Sequence, residues 1–242
     1  MFESAGHMAI EDVAKPTVEQ PDDAIVRVVR TCVCGSDLWP FRGINQSEDH
    51  STNPGHEAIG IVEEGGEAIT SVKPGDFVIA PFTHGCGECR ACRAGYDGSC
   101  MAHNDNFTMG AQGQFIRFQH AQWALVKIPG KPEDYSEGML KSLLTLSDVM
   151  ATGYHAARTA RVQPGDTVIV LGDGAVGQCG IITAKMMGAK RIISTSRHED
   201  RRVLAQEFGA TDNVAERGDE GVAKLLELSD GGADAVLECV GT

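Results

Sequence analysis

The sequence predicts an α/β protein of two domains, in which a β-rich domain precedes a doubly wound parallel sheet. The first half contains short apolar segments separated by turns that contain proline and glycine. Composition shifts near residue 139, where long helix-forming residues replace the strand pattern. Further on, the apolar run 167–171 is followed at once by a glycine-rich loop and a helical pattern. We therefore expect one domain over residues 1–147 and a second over residues 148–242.

The strands of the first domain are expected at residues 24–29, 58–62 and 77–80. A glycine-rich turn at Gly65-Gly66 follows the second segment, and the turn Lys73-Pro74-Gly75-Asp76 precedes the third. A Pro-Gly-Asp turn before an apolar run is typical of a hairpin or a barrel corner. The pattern thus predicts a β-rich domain.

In the second domain, helices and strands are expected to alternate. Residues 139–160 predict a helical connection that is broken at Thr152-Gly153. The strand 167–171 is followed by a helix, the strand 191–195, a helix over 200–208, a short element near Asn213, a helix over 221–228 and the strand 233–238. Four parallel strands in doubly wound order already contain the switch point at which a nucleotide binds.

The composition favours small soluble ligands over nucleic acid or membrane as partners. The 242 residues carry a formal net charge of −13, which disfavours nonspecific attraction to nucleic acid or anionic lipid. Neither a secretory leader nor an apolar run of about 18 residues is visible, so a cytoplasmic location is expected. In that reducing compartment the eight cysteines are expected to be metal ligands or free thiols rather than disulfides.

A candidate metal site begins at Cys34-Gly35-Ser36-Asp37 and continues at Gly55-His56-Glu57. Thiolate and imidazole are ligands that zinc prefers, and a catalytic zinc keeps three protein ligands and one open position. Asp148, a carboxylate among apolar neighbours, is the candidate third ligand. Ser36 could carry a proton for a group bound there, and Asp37 could orient the histidine ring. The alternative is a buried free cysteine with an ordinary loop histidine.

A second candidate metal site has the spacing C-x2-C-x2-C-x7-C and consists of Cys86, Cys89, Cys92 and Cys100. Four thiolates so close in sequence can enclose one tetrahedral zinc ion, whose full shell implies a structural role. Three alternatives are disfavoured. Disulfides do not suit the compartment, the last gap does not fit an iron–sulfur run, and the loop has only two arginines with which to bind nucleic acid.

The glycine-rich loop predicts a dinucleotide site, because a strand precedes it and a helix follows it. Its sequence is Gly172-Asp173-Gly174-Ala175-Val176-Gly177. Such glycines let the backbone approach a pyrophosphate that lies at the helix N-terminus. Asp173 is an uncomfortable charge near phosphate, so we expect its side chain to point away.

The end of the next strand indicates which nucleotide is bound. An NAD site usually has an acidic residue there, whereas this chain has Ser196-Arg197-His198. A hydroxyl and a guanidinium can bind a 2′-phosphate through charge-assisted hydrogen bonds. NADP(H) is therefore favoured over NAD(H). The alternative is that Ser196 and Arg197 form an ordinary solvated loop near Glu199 and Asp200.

These motifs together resemble the zinc-dependent medium-chain dehydrogenase/reductase family, specifically its alcohol dehydrogenase group. The resemblance covers nearly all of the chain and includes Asp148 followed by Thr152-Gly153-Tyr154. It implies a GroES-like β-rich catalytic domain and a Rossmann domain, and also a homodimer or homotetramer. It further implies roles for the site residues: catalytic zinc ligation by Cys34, His56 and Asp148, approach of Glu57 to the metal, proton relay from Ser36, a substrate pocket lined by Phe82, and nicotinamide contact by Thr152.

The chain departs from the family pattern in two respects. Trp39 stands where family members often have a relay histidine, so the proton must leave from Ser36 directly to water or by another route. Family members are also longer, and the chain resembles a fragment whose Rossmann sheet lacks its last strands. A complete chain of this length would leave a sheet edge unpaired.

The resemblance implies reversible oxidation of an alcohol to an aldehyde or ketone, with hydride transfer to the nicotinamide. Three alternatives stay open. A zinc-independent reductase would lack the ligands seen here. A polyol or amino-alcohol dehydrogenase, or an enzyme for a hydroxymethyl thiol adduct, would have the same motifs. A noncatalytic nucleotide-binding protein would hold zinc only at the four cysteines.

Overall fold

A computed structural model describes residues 1–44, 53–102 and 107–241 of the chain. The chain divides into two compact units, Met1–Asp148 and Val149–Thr242. Asp148 thus belongs to the first unit, one residue beyond the expected boundary. Within the described ranges, no helix is both long and apolar enough to span a membrane.

The first unit is built on an antiparallel sheet. A small hairpin, β1 (Phe2–Ser4) with β2 (His7–Met8), precedes it. The strands of the sheet are, in chain order, β3 (Ala24–Thr31), β4 (Ala58–Gly65), β5 (Phe77–Ala80), β6 (Phe115–Phe118) and β7 (Val126–Ile128). They are arranged in the order β6-β3-β4-β5-β7. The pairing of β4 with β5 is antiparallel, which confirms the predicted hairpin.

The strands of this sheet bury apolar side chains on both faces of the sheet, as strands packed on two sides do. Val26, Val62, Val78 and Phe118 belong to one buried cluster, whereas Ile59, Phe77 and Ile79 belong to another. The helices of this unit are α1 (Leu38–Phe41), α2 (Arg90–Arg93), α3 (Ala121–Ala124) and α4 (Glu137–Thr145). Leu140 and Leu144 of α4 complete the second cluster.

The second unit contains a parallel sheet with helices on both faces, as predicted for a Rossmann-type domain. Its strands are β8 (Thr167–Leu171), β9 (Arg191–Thr195), β10 (Asp212–Val214) and β11 (Ala235–Glu238). Its helices are α5 (Val149–Thr159), α6 (Ala175–Met186), α7 (Glu199–Phe208) and α8 (Gly218–Leu228). The sheet order is β10-β9-β8-β11, so the direction of winding reverses between β8 and β11. The loop after β8 therefore lies at the topological switch point.

The predicted helix break at Thr152-Gly153 is wrong. The chain leaves the helical pattern between α4 and α5, around Ser147 and Asp148, and Gly153 lies inside α5. Gly153 is needed for packing, because a Cβ there would lie 2.7 Å from the backbone carbon of Cys179 in α6. The hydroxyl of Thr183 also donates a hydrogen bond to the Gly153 carbonyl, at 3.1 Å. This glycine lets two helices approach closely and does not end one.

We expect Gly60→Ala in β4 to destabilise the protein by about 1–3 kcal/mol, the range typical of overpacking. The added Cβ would lie 2.4 Å from the carbonyl oxygen of Arg27 on β3. Gly138→Ala in the exposed first turn of α4 is the matched control, because its Cβ would meet nothing closer than 3.9 Å. That variant should be unchanged or up to about 1 kcal/mol more stable. Urea unfolding of both variants measures the difference, and equal midpoints would contradict this account of β3–β4 packing.

Candidate active site and nucleotide site

Four metal-ligating side chains converge in the first unit. One ligand atom from each of Cys34, His56, Glu57 and Asp148 lies within 4.8 Å of every other. Cys34 lies just before α1, His56 and Glu57 lead into β4, and Asp148 follows α4. His56, Glu57 and Asp148 are buried, and Cys34 is partly buried. The structure thus brings together all four residues predicted from the two separate motifs and the distant acid.

The His56 ring is held between two carboxylates. Its Nδ1 lies 3.2 Å from Oδ1 of Asp37, and its Nε2 lies 3.2 Å from Oδ2 of Asp148. Burial alone would lower the pKa of His56, but hydrogen bonds to Asp148, Asp37 and Cys34 raise it well above its usual range. A metal ion that takes Nε2 must displace the proton bound there.

Asp37 organises this cluster from outside it. Its Oδ2 accepts hydrogen bonds from the backbone N–H of Cys34 at 2.8 Å and from Nε2 of Gln112 at 3.2 Å. One carboxylate therefore fixes both the cysteine loop and the histidine ring, as expected of a residue that orients a metal-bound histidine.

The donor set fits a zinc ion. It combines sulfur, imidazole nitrogen and carboxylate oxygen, which are the three zinc donor types. Among the described residues, Oε2 of Glu57 is buried without a hydrogen-bond partner, and burial raises the pKa of this carboxyl. A hydrogen bond from His56 lowers the pKa of Cys34, which favours the thiolate that a metal needs. A cation at this position would compensate these acidic groups.

Aromatic side chains and Ser36 surround the cluster. The ring of Phe82 lies 6.0 Å from that of His56, and the ring of Phe107 lies 5.5 Å from it. The two phenylalanine rings pack edge to face, with their centroids 5.9 Å apart. Ser36 is exposed, and its hydroxyl is hydrogen-bonded to the Cys34 sulfur. The surroundings of the cluster are thus apolar on one side and have a solvent-accessible hydroxyl beside the thiol.

The four cysteines of the second motif form a compact cluster. One sulfur from each of Cys86, Cys89, Cys92 and Cys100 lies within 4.8 Å of every other. The sulfurs of Cys89 and Cys92 are 3.5 Å apart, close to the separation of about 3.8 Å that tetrahedral Zn–S bonds of about 2.3 Å require. All eight cysteines of the chain lie in its described part, and every one is free.

Backbone groups support the thiolates of this second cluster. The N–H groups of Cys89 and Met101 donate to the sulfurs of Cys86 and Cys89, respectively, at 3.4 Å. Backbone hydrogen bonds lower the pKa of Cys89 to about 6. A Cβ at Gly85 would lie 2.4 Å from the sulfur of Cys92, so only glycine leaves room here. The donors fit a closed, structural zinc site.

The second unit contains a cavity of about 640 Å³ at the switch point of its sheet. Its lining includes Gly172, Asp173 and Gly174 of the predicted loop and also Ser196 and Arg197 after β9. Ala175, Val176 and Gly177 form the first turn of α6. A Cβ at Gly177 would lie 2.1 Å from the Gly172 carbonyl oxygen, whereas a Cβ at Gly174 would have nothing within 4 Å. The open space beside Gly174 is where a phosphate can approach the backbone.

Asp173 points towards the end of β9. Its Oδ2 accepts a hydrogen bond from the Ser196 hydroxyl at 2.6 Å, and its Oδ1 accepts one from Nη1 of Arg201 at 2.8 Å. The side chain is thus directed away from the open space beside Gly174. Thr152, the predicted nicotinamide contact, lies in α5 and is not part of the cavity lining.

Comparison with known proteins decides the family. A family model described as the alcohol dehydrogenase GroES-like domain matches residues 20–130, and one described as zinc-binding dehydrogenase matches residues 175–242. A medium chain reductase/dehydrogenase from Acremonium sp. is 32% identical over 100% of this chain and 84% of its own length. This chain belongs to the zinc-type medium-chain alcohol dehydrogenase family.

Two further relatives define how much of a family member the chain represents. An uncharacterized zinc-type alcohol dehydrogenase-like protein from Bacillus subtilis is 35% identical over 99% of this chain and 66% of its own length. The apo form of zinc dependent alcohol dehydrogenase 2 from Streptococcus pneumonia has a TM-score of 0.88 and 32% identity, and the match covers 99% of this chain and 68% of that one. The chain thus spans about two thirds of these two family members.

Sequence reasoning missed three residues of these sites. Phe107 contacts His56, Gln112 supports Asp37, and Arg201 pairs with Asp173. A single phenylalanine or glutamine has no diagnostic spacing, so the first two have no signal in one sequence. Arg201 lies in α7, four residues after Arg197 in the sequence. A second arginine so close to the Ser196-Arg197 motif is a signal that the sequence does contain.

Gly174→Ala should leave the fold of this family member intact and weaken dinucleotide binding at least tenfold. The added methyl group meets no protein atom within 4 Å, but it occupies the space where a pyrophosphate approaches the backbone. Calorimetric titration with NADP and NAD, together with the melting temperature, measures both effects. Gly231→Ala is the control for a glycine change in the same unit, although its φ of +97° makes that variant somewhat less stable. Unchanged nucleotide affinity in Gly174→Ala would contradict the location of the site.

Proposed function

We propose that the chain is a zinc-dependent oxidoreductase that transfers a hydride reversibly between an alcohol and NADP(H), with an aldehyde or ketone as the other product. The convergence of Cys34, His56 and Asp148, with Glu57 beside them, is the observation that carries this proposal. Three ligands of mixed type leave an open position for a substrate oxygen, whereas the four-cysteine cluster offers none.

The metal would supply Lewis-acid stabilisation of negative charge on the substrate oxygen, which lowers the pKa of the alcohol. The protein residues position the reacting groups and move the proton. Asp37 fixes the ring of His56, so that the orientation of the ligand does not depend on solvent. Phe82 and Phe107 give one side of the cluster an apolar surface.

Ser36 is the group that accepts the alcohol proton. Its hydroxyl lies beside Cys34 and is exposed, so the proton can pass to it and then to bulk water. Trp39, also exposed, has no group that could extend the relay. Proton release directly from Ser36 follows from this arrangement.

The charge of the nucleotide cavity supports NADP(H) as the cofactor. Arg197 and Arg217 line it, and neither has an ion-pair partner among the described residues. Two unpaired guanidinium groups favour a dianionic 2′-phosphate over a ribose hydroxyl. The nearby Glu216 carboxylate is paired with Lys224, which reduces its repulsion of phosphate.

Replacing Cys34 with Ala should abolish alcohol oxidation and reduce the zinc content from two ions to one per chain. NADP binding should persist, because the nucleotide cavity is lined only by residues of the second unit. Metal analysis, calorimetry and initial rates on primary alcohols, secondary alcohols and polyols, with NADP and NAD in parallel, measure these effects.

Cys179→Ala is the control, since Cys179 lies in α6 of the second unit and belongs to neither cluster. That variant should retain two zinc ions. A wild-type protein with one zinc ion, held at the four cysteines, would support a noncatalytic nucleotide-binding protein instead. Undiminished turnover in Cys34→Ala would refute the assignment of this cluster as the catalytic site.

A further inference from the structure

The carboxylate of Asp173 has an unusual place for a residue of a glycine-rich phosphate loop. It lies at the cavity wall between the loop and the end of β9, and its side chain is only 20% exposed. Partial burial would raise the pKa of this carboxyl, but hydrogen bonds from Ser196 and Arg201 outweigh it and lower the pKa. Asp173 is therefore ionised at neutral pH.

Asp173 engages the hydroxyl that the sequence pattern assigns to a 2′-phosphate. The Ser196 hydroxyl has one proton, and the 2.6 Å contact with Oδ2 of Asp173 uses it. The same hydroxyl oxygen accepts a hydrogen bond from the backbone N–H of His198 at 3.1 Å. The Ser196 hydroxyl can therefore donate a hydrogen bond to a phosphate only if its hydrogen bond to Asp173 is broken.

Asp173 also neutralises one of the cations of the cavity. Nη1 of Arg201 lies 2.8 Å from Oδ1 of Asp173, so this guanidinium is already paired. A 2′-phosphate beside Ser196 would gain attraction from Arg197 and Arg217 but would meet repulsion from a fixed carboxylate in a partly buried site, where charges are weakly screened. A ribose 2′-hydroxyl would instead find in that carboxylate a hydrogen-bond acceptor.

We propose that Asp173 is a specificity-determining residue that limits the preference for NADP(H) and allows NAD(H) to bind in the same cavity. The carboxylate holds Ser196 and Arg201 away from the 2′-phosphate and accepts the ribose hydroxyl of NAD(H). The acid that selects a ribose hydroxyl is thus supplied from the glycine loop and not from the end of β9. This inference rests on the proposed nucleotide-dependent function.

The test compares adenosine 2′,5′-bisphosphate with AMP, because these two probes differ only in the 2′-phosphate and need neither zinc nor a nicotinamide pocket. In Asp173→Asn, the ratio of affinities for the bisphosphate over AMP should rise at least tenfold relative to wild type. The amide removes the charge while it still accepts a hydrogen bond from Ser196, so the loop is retained. NADP and NAD, titrated in the same way, should show the same change.

Asp212→Asn is the matched control. Asp212 also lies in the second unit, pairs with Arg191 at 2.9 Å, and has a side chain 23% exposed, but it is not part of the cavity lining. Its affinity ratio should equal that of wild type. Melting temperatures of both variants report any loss of folding.

The outcomes separate this inference from the proposed function. A ratio in Asp173→Asn that is unchanged, or that falls, would overturn the role of Asp173 and leave the nucleotide site intact. An equal loss of affinity for both probes would assign Asp173 a purely structural role and would also overturn the inference. Failure of the wild-type protein to bind either probe or either dinucleotide would overturn the inference and the proposed function together.

Discussion

The buried arrangement of His56 between Asp37 and Asp148 is the constraint on which the first unit depends. Buried acidic groups are costly unless they are paired or coordinate a metal. Here three carboxylates and a thiol gather around one imidazole, since Glu57 and Cys34 complete the group. A single histidine cannot compensate so many acidic groups. The cluster therefore suits a cation, and the loop before α1, the start of β4 and the end of α4 bring its side chains together.

In the second unit, the corresponding constraint is the close approach of the backbone at Gly172 to the first turn of α6 at Gly177. Gly172 has a φ of +106°, and Gly177 leaves space for the Gly172 carbonyl oxygen, which a Cβ would reach at 2.1 Å. These two glycines shape the loop, whereas Gly174 leaves its outer side open. The order β10-β9-β8-β11 places this loop at the switch point of the sheet. Sheet topology and glycine geometry together create the cavity at this edge of the sheet.

Sequence reasoning succeeds where the chemistry restricts both residue type and spacing. Four cysteines within a short segment, or a glycine loop between strand and helix, are compatible with few kinds of site. The cysteines do form one compact cluster, and the glycine loop lines a cavity. Asp148 can be chosen only because Cys34 and His56 lack a third ligand; helical periodicity alone would leave it a capping residue. The parallel sheet and the antiparallel hairpin also follow from local patterns.

Other features depend on tertiary contacts that one sequence does not encode locally. Gly153 predicts a helix break, because glycine is a poor helix former, but its role is to admit α6. Asp173 is expected to point away from the pyrophosphate position, and its carboxylate is bound by Ser196 and Arg201, but these two partners are more than 20 residues away in the sequence. Phe107 forms an isolated antiparallel β-bridge with Thr83, and its ring packs near the ring of His56. The sequence has no signal for this pairing.

The central claim is that Cys34, His56 and Asp148 hold a zinc ion. Anomalous diffraction from crystals of the protein, measured on both sides of the zinc absorption edge, tests it most directly. The account predicts two zinc peaks per chain, with one about 2.3 Å from the Cys34 sulfur and about 2.0–2.1 Å from Nε2 of His56. A zinc-replete protein with a single peak, among Cys86, Cys89, Cys92 and Cys100, would contradict it.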